Sequence, residues 1–129
     1  MADKSIDQLC EIETYRDHMT AFVHSFVQSH RQERWLHLLV NRPKQLLKNS
    51  SKLYQHLDKQ YCTELPYLAD ISESTTGVFI DFHESSEPVS ITTARAIELG
   101  MDHDAVFSIA AGKLAVYFFH EGTVMLCQK

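Results

Sequence analysis

The tripeptide Phe-His-Glu occurs twice, at the end of VFIDFHE (Val78 to Glu84) and at the end of LAVYFFHE (Leu114 to Glu121). Neutral imidazole beside carboxylate is ligand chemistry for zinc or iron, and it is also the pairing used in general acid–base catalysis. Asp81 and His83 are two apart on a predicted strand, so they project to one face. The segment MDHDA adds His103 and Asp104. A metal-dependent enzyme would therefore draw its ligands from Asp81, His83, His103 and His120. The spacing matches no H-E-x-x-H pattern, because Glu87 and Val124 stand where its second histidine belongs. The two copies are also expected in unlike settings. His83 shares a face with Asp81 and Phe79 that reads as open and polar, whereas His120 continues the row of Leu114, Val116 and Phe118, which reads as core. They converge only if strands 78–83 and 114–119 run parallel or end at the same edge.

Other chemistries find fewer parts. His18, His24 and His30 are spaced by six, which spreads them around a helix axis instead of lining one side. Glu33 and His37 share a face at i, i+4, the spacing of a solvated surface contact. Cys10, Cys62 and Cys127 are far apart and include no C-x-x-C. Cys10 and Cys127 sit in apolar patterns that raise a thiol pKa, which leaves Cys62, beside Tyr61, as the best placed nucleophile. There is no G-x-S-x-G, and AAGKL at Ala110 to Leu114 is a hairpin turn: Phe107 and Leu114 occupy positions where a phosphate loop needs glycine and a hydroxyl residue. No cofactor is expected.

Charge is distributed unevenly. Of 12 basic and 17 acidic residues, the stretch Arg31 to Tyr61 holds seven basic (Arg31, Arg34, Arg42, Lys44, Lys48, Lys52, Lys59) against Glu33 and Asp58 alone. Lys44, Lys48 and Lys52 step by four along one helical face, with Trp35, Tyr54 and Tyr61 interleaved, an arrangement able to hold a phosphate backbone and stack bases. Against that reading, Trp35 and Tyr54 lie among leucines and are expected to face the core, with the lysines on the solvated side. The acidic C-terminal half argues against a nucleic-acid coat.

The elements that must position these residues follow from hydrophobic period. Apolar residues from Leu9 to Val27 recur at steps of three and four, predicting a long helix over 5–30. A short helix is expected at Trp35 to Val40, ending before Pro43, and a third from Pro43 to about Leu57. After residue 77 the period becomes two. Strands are expected at 78–83, at the short VSI segment, and as a three-stranded meander at 105–110, 114–119 and 123–127, with turns at Gly112-Lys113 and Glu121-Gly122. A helix capped by Thr92 or Thr93 should stop at Gly100.

These elements predict one α+β domain over 1–129, with a helical half at about 5–60 packed on a mostly antiparallel sheet at about 77–127 and one intervening helix. The near-continuous apolarity of LAVYFF fits a strand covered on both faces, or one buried against a second copy of the chain. No apolar run approaches the ~20 residues of a membrane helix. The N-terminal residues lack a secretory pattern, so a cytosolic location with reduced thiols is expected. The functional expectation is a binding or regulatory module acting through a protein partner or through itself as a homodimer. A metal-dependent enzyme is the first alternative, and nucleic-acid binding through 31–61 the second.

Overall fold

The computed structural model describes residues 13–42, 49–65, 71–82, 89–100 and 103–129. Among these, helices α1 (Glu13–Phe26), α2 (Ser29–Asn41) and α3 (Leu53–His56, preceded by a 3₁₀ turn at Ser50–Lys52) come first. They are followed by strands β1 (Cys62–Leu65), β2 (Thr76–Asp81) and β3 (Val89–Thr92), helix α4 (Thr93–Gly100), and strands β4 (Ala105–Ala110), β5 (Leu114–Phe118) and β6 (Val124–Gln128). The six strands form one sheet in the order β1-β6-β5-β4-β2-β3, every neighbouring pair antiparallel. This is the α+β class that the change of period predicts.

The sheet is covered on both faces. On one, Met19, Phe22, Val23 and Phe26 of α1, at i, i+3, i+4 and i+7, and Trp35, Leu38 and Leu39 of α2 pack against Ile80, Val106, Ala115, Tyr117 and Cys127. On the other, Phe79, Ala105, Phe107, Val116 and Phe118 pack with Ala96 of α4. Residues Ala115 to Phe118 are therefore all 0–1% exposed within a single chain. The apolarity of β5 needs no second copy to explain it.

The predicted helix over 5–30 breaks at Val27, and residues 1–12 lie outside the described set. Val27 leaves the helix to bridge Leu57, while the Asp58 amide donates to the Phe26 carbonyl at 2.7 Å and the Gln28 amide to His56 at 2.9 Å. Val27 is still buried and its amide still donates to the Val23 carbonyl at 3.3 Å, so the side-chain period runs on although the flanking Phe26 carbonyl and Gln28 amide have taken partners across the bridge. The helix expected at Trp35 to Val40 consequently starts earlier, at Ser29. Of the helix expected from Pro43, residues 43–48 are not described; the remainder is the 3₁₀ turn and α3.

β1 is an addition to the predicted strands. It lies at the sheet edge, paired to β6 through Cys62↔Cys127, Thr63↔Leu126, Glu64↔Met125 and Leu65↔Val124. The turns occur where expected, with Gly112 and Gly122 at φ +72° and +92°, a region L-residues with side chains seldom occupy. α4 is capped by Thr92, whose Oγ1 accepts the Arg95 amide at 3.3 Å, and ends at Gly100.

Candidate functional site

β2 and β5 both pair antiparallel with β4, so they point the same way and end at one edge, with Asp81 opposite Ala105 and Ala105 opposite Phe118. The geometric condition for the two Phe-His-Glu copies to approach is thus met, with His103 and Asp104 entering β4 between the two strand ends. His83 itself lies outside the described residues.

The donors form two pairs. The His103 Nδ1 lies 2.9 Å from Asp81 Oδ2, and His120 Nδ1 lies 3.0 Å from Asp104 Oδ1. Asp81 belongs to a buried face, its side chain 6% exposed, where the sequence suggests an open one. His120 has left the strand and stands 43% exposed in the β5–β6 turn, where the sequence row suggests core. Asp104 also accepts the His120 amide at 3.0 Å, and its own carbonyl accepts the Phe82 amide at 3.0 Å. One residue thereby ties the ends of β2, β4 and β5. Among the described residues no group of three or more His, Cys, Asp or Glu side chains is arranged to hold a metal ion.

The helical layer carries a concave site built from the basic stretch. α2 contributes His30, Arg31, Arg34, Trp35 and Leu38, and the segment at 49–56 contributes Asn49, Lys52 and His56, around a cleft of about 310 Å³. Along α2 these positions fall at i, i+1, i+4, i+5 and i+8, which is one side of a helix. Trp35 and Leu38, 4% and 3% exposed, are its floor. Arg31, Arg34, His30 and Lys52 are exposed around it. Among the described residues none of the lining side chains is a carboxylate.

Trp35 and His56 join the two walls. The indole Nε1–H donates to His56 Nδ1 at 3.0 Å, with the rings edge to face at 5.8 Å. Because Nδ1 accepts, the neutral imidazole carries its proton on Nε2. Partial burial holds the His56 pKa below its ordinary value, and the neighbouring Arg31, His30 and Lys52 lower it further. The part contributed by these neighbours registers the positive potential of the cleft. Lys44 and Lys48, which the sequence groups with Lys52, lie outside the described residues. Tyr54, expected in the core, is half-buried and stacks on Phe119 at 4.5 Å.

His18 is the second histidine held low, chiefly by burial and against a raising contribution from Asp17; its Nδ1 meets Ser108 Oγ of β4 at 2.7 Å. For both imidazoles the unfolded chain takes up protons near the ordinary value of 6.5, before the folded chain does. Their contribution to stability is therefore full above that pH and is lost as pH falls toward the depressed folded values. Thermal melts from about pH 7.5 to about pH 5.5 should show a falling midpoint, flattened in a His18→Gln, His56→Gln variant. A wild-type profile that is level through this window would contradict the assignment.

The sequence signal for the cleft is the charge density of 31–61, which is visible. Which of its cations converge is not, because that depends on the 49–56 segment returning against α2. Compared with known proteins, the chain matches no protein-family model, no curated protein and no solved structure.

Proposed function

We propose that this chain is a binding module that recognises an acidic segment of a protein partner, seating a phosphate or carboxylate group among Arg31, Arg34 and Lys52 with an adjoining apolar group against Trp35 and Leu38. The observation carrying this reading is the composition of the cleft among the described residues: a buried aromatic floor, three full cations and two imidazoles at the rim, and no carboxylate in the lining. Arginine provides planar, multi-donor recognition of phosphate and carboxylate, and an aromatic floor adds contact area at little conformational cost. The volume is at the small end of ligand pockets, which suits one anionic side chain better than an extended polymer.

Residues 62–129 contain Arg95, Lys113 and Lys129 against ten acidic residues, a balance that gives a long polyanion little support outside the cleft and matters less to a segment that presents one anionic group. Trp35 is the single tryptophan of the chain and reports directly on occupancy. Titration with phenyl phosphate should change its emission saturably, more strongly than inorganic phosphate, with modest weakening between low and moderate salt. No response to phenyl phosphate would remove the proposal. Tight, steeply salt-dependent binding of a single-stranded oligonucleotide in its place would favour the nucleic-acid reading.

A further inference from the structure

Two of the three cysteines, distant in sequence, meet across the sheet edge. Cys62 of β1 is the direct antiparallel partner of Cys127 of β6. The Gln128 amide donates to the Tyr61 carbonyl at 3.0 Å. That bond brackets the Cys62/Cys127 rung from outside, which makes it a non-hydrogen-bonded pair. In such pairs the Cα atoms sit about 4.5 Å apart and the side chains stand closest, within the ~4.4–6.8 Å that a disulfide spans. Both side chains enter the core beneath α1, 2% and 0% exposed. Cys62 Sγ–H donates to the Phe26 carbonyl at 3.6 Å, and its contact with Cys127, together with burial, pushes the Cys127 thiol well up.

We propose that Cys62 and Cys127 are a disulfide-forming site, a redox lock that ties the edge strand β1 to β6. The oxidant is a small-molecule disulfide such as oxidised glutathione. The Cys62 thiolate attacks one glutathione sulfur, the S–S bond of the oxidant breaks, and one glutathione thiolate leaves. The Cys127 thiolate then attacks the Cys62 sulfur of the mixed disulfide, forming the internal S–S bond and releasing the second glutathione thiolate. The two cysteine protons end on the two glutathione thiols. Two protein thiols are oxidised and one glutathione disulfide is reduced.

Burial sets the rate of this exchange and topology sets its route. Cys62 is buried out of reach of the oxidant and the Cys127 thiol is pushed up, so exchange waits for local opening. Among the described residues β1 is paired along one side and over four rungs, which makes its release less costly than that of an interior strand. Once closed, the bond holds β1 and, through Leu57 to Tyr61, anchors the wall of the cleft that carries Lys52 and His56.

The test uses the full chain with Cys10→Ser, which leaves only these two thiols. After incubation with oxidised glutathione in sub-denaturing urea and removal of both, the expected product is a monomer lacking two hydrogens. Its proteolytic map should join the Cys62 and Cys127 peptides, and its melting midpoint should rise by roughly 10 °C, reverting with dithiothreitol. Cys62→Ser in the same background should show no shift. Two thiols still open to alkylation after denaturation, a bond between separate chains, or an oxidised form that melts no higher than the reduced one would each overturn the lock.

Discussion

Tyr117→Ala is expected to lower the unfolding free energy by about 3–5 kcal/mol, the range for removing a large aromatic side chain from a packed interior. Tyr117 is completely buried on β5 and holds three elements together. Its ring is stacked with Phe22 of α1 and with Tyr54 of α3, in each case at 6.5 Å between centroids. Its hydroxyl donates to the Ser50 carbonyl at 3.4 Å, and burial raises the phenol pKa so that it stays a donor throughout the ordinary pH range. Against a total of about 5–15 kcal/mol, such a loss leaves the domain marginal at 37 °C. Tyr117→Phe isolates the hydroxyl and should cost only about 1 kcal/mol. Urea unfolding checks both: the midpoint should fall steeply for the alanine variant and slightly for phenylalanine, with unchanged slope. A loss below about 1.5 kcal/mol for Tyr117→Ala would mean that the helical layer is not organised around this ring.

The same residue shows how far the sequence reaches. LAVYFF abandons alternation, and that alone implies cover on both faces. Whether the cover is α4 or a second copy is decided by Phe118 lying under Gly100, where an added Cβ would come within 2.8 Å of the ring. No periodicity encodes that contact. The helix break at Val27 is likewise invisible, since Val27 keeps its inward direction while its backbone turns to Leu57. β1 escapes notice because CTEL is four residues long, with little apolar alternation, and its partner is the last strand of the chain. The Cys62–Cys127 rung is hidden for the same reason: register, not spacing, joins the thiols.

The polar groups divide in a similar way. Asp81, His103, Asp104 and His120 attract attention through their types, and topology does bring them to one edge of the sheet. Among the described residues Asp81 meets His103 and Asp104 meets His120, and Asp104 in addition fastens three strand ends. The cleft is the converse case. Its cations look in sequence like the solvated side of helices, and they become a site because Trp35 and His56 draw two walls together.

Arg31→Glu with Arg34→Glu is expected to weaken phenyl phosphate binding at least tenfold while leaving the fold intact. Both guanidinium groups are solvent-exposed on α2, so each contact with an anion is screened and contributes on the order of 1 kcal/mol, not the several of a buried pair. Losing two such contacts amounts to more than a factor of ten, and the two introduced carboxylates add repulsion at the same place. Stability should change little, because neither residue reaches the core and glutamate is as good a helix former as arginine. The His56 imidazole supplies an internal control. Arg31 helps to depress its pKa, so reversing that charge should move the His56 titration upward, read from its ring protons by NMR. A variant that binds phenyl phosphate as well as the parent, while His56 titrates higher, would show that the potential of the cleft is real and that the anion sits elsewhere. Loss of binding together with the upward shift would tie recognition to the same cations that add to burial in lowering the His56 pKa.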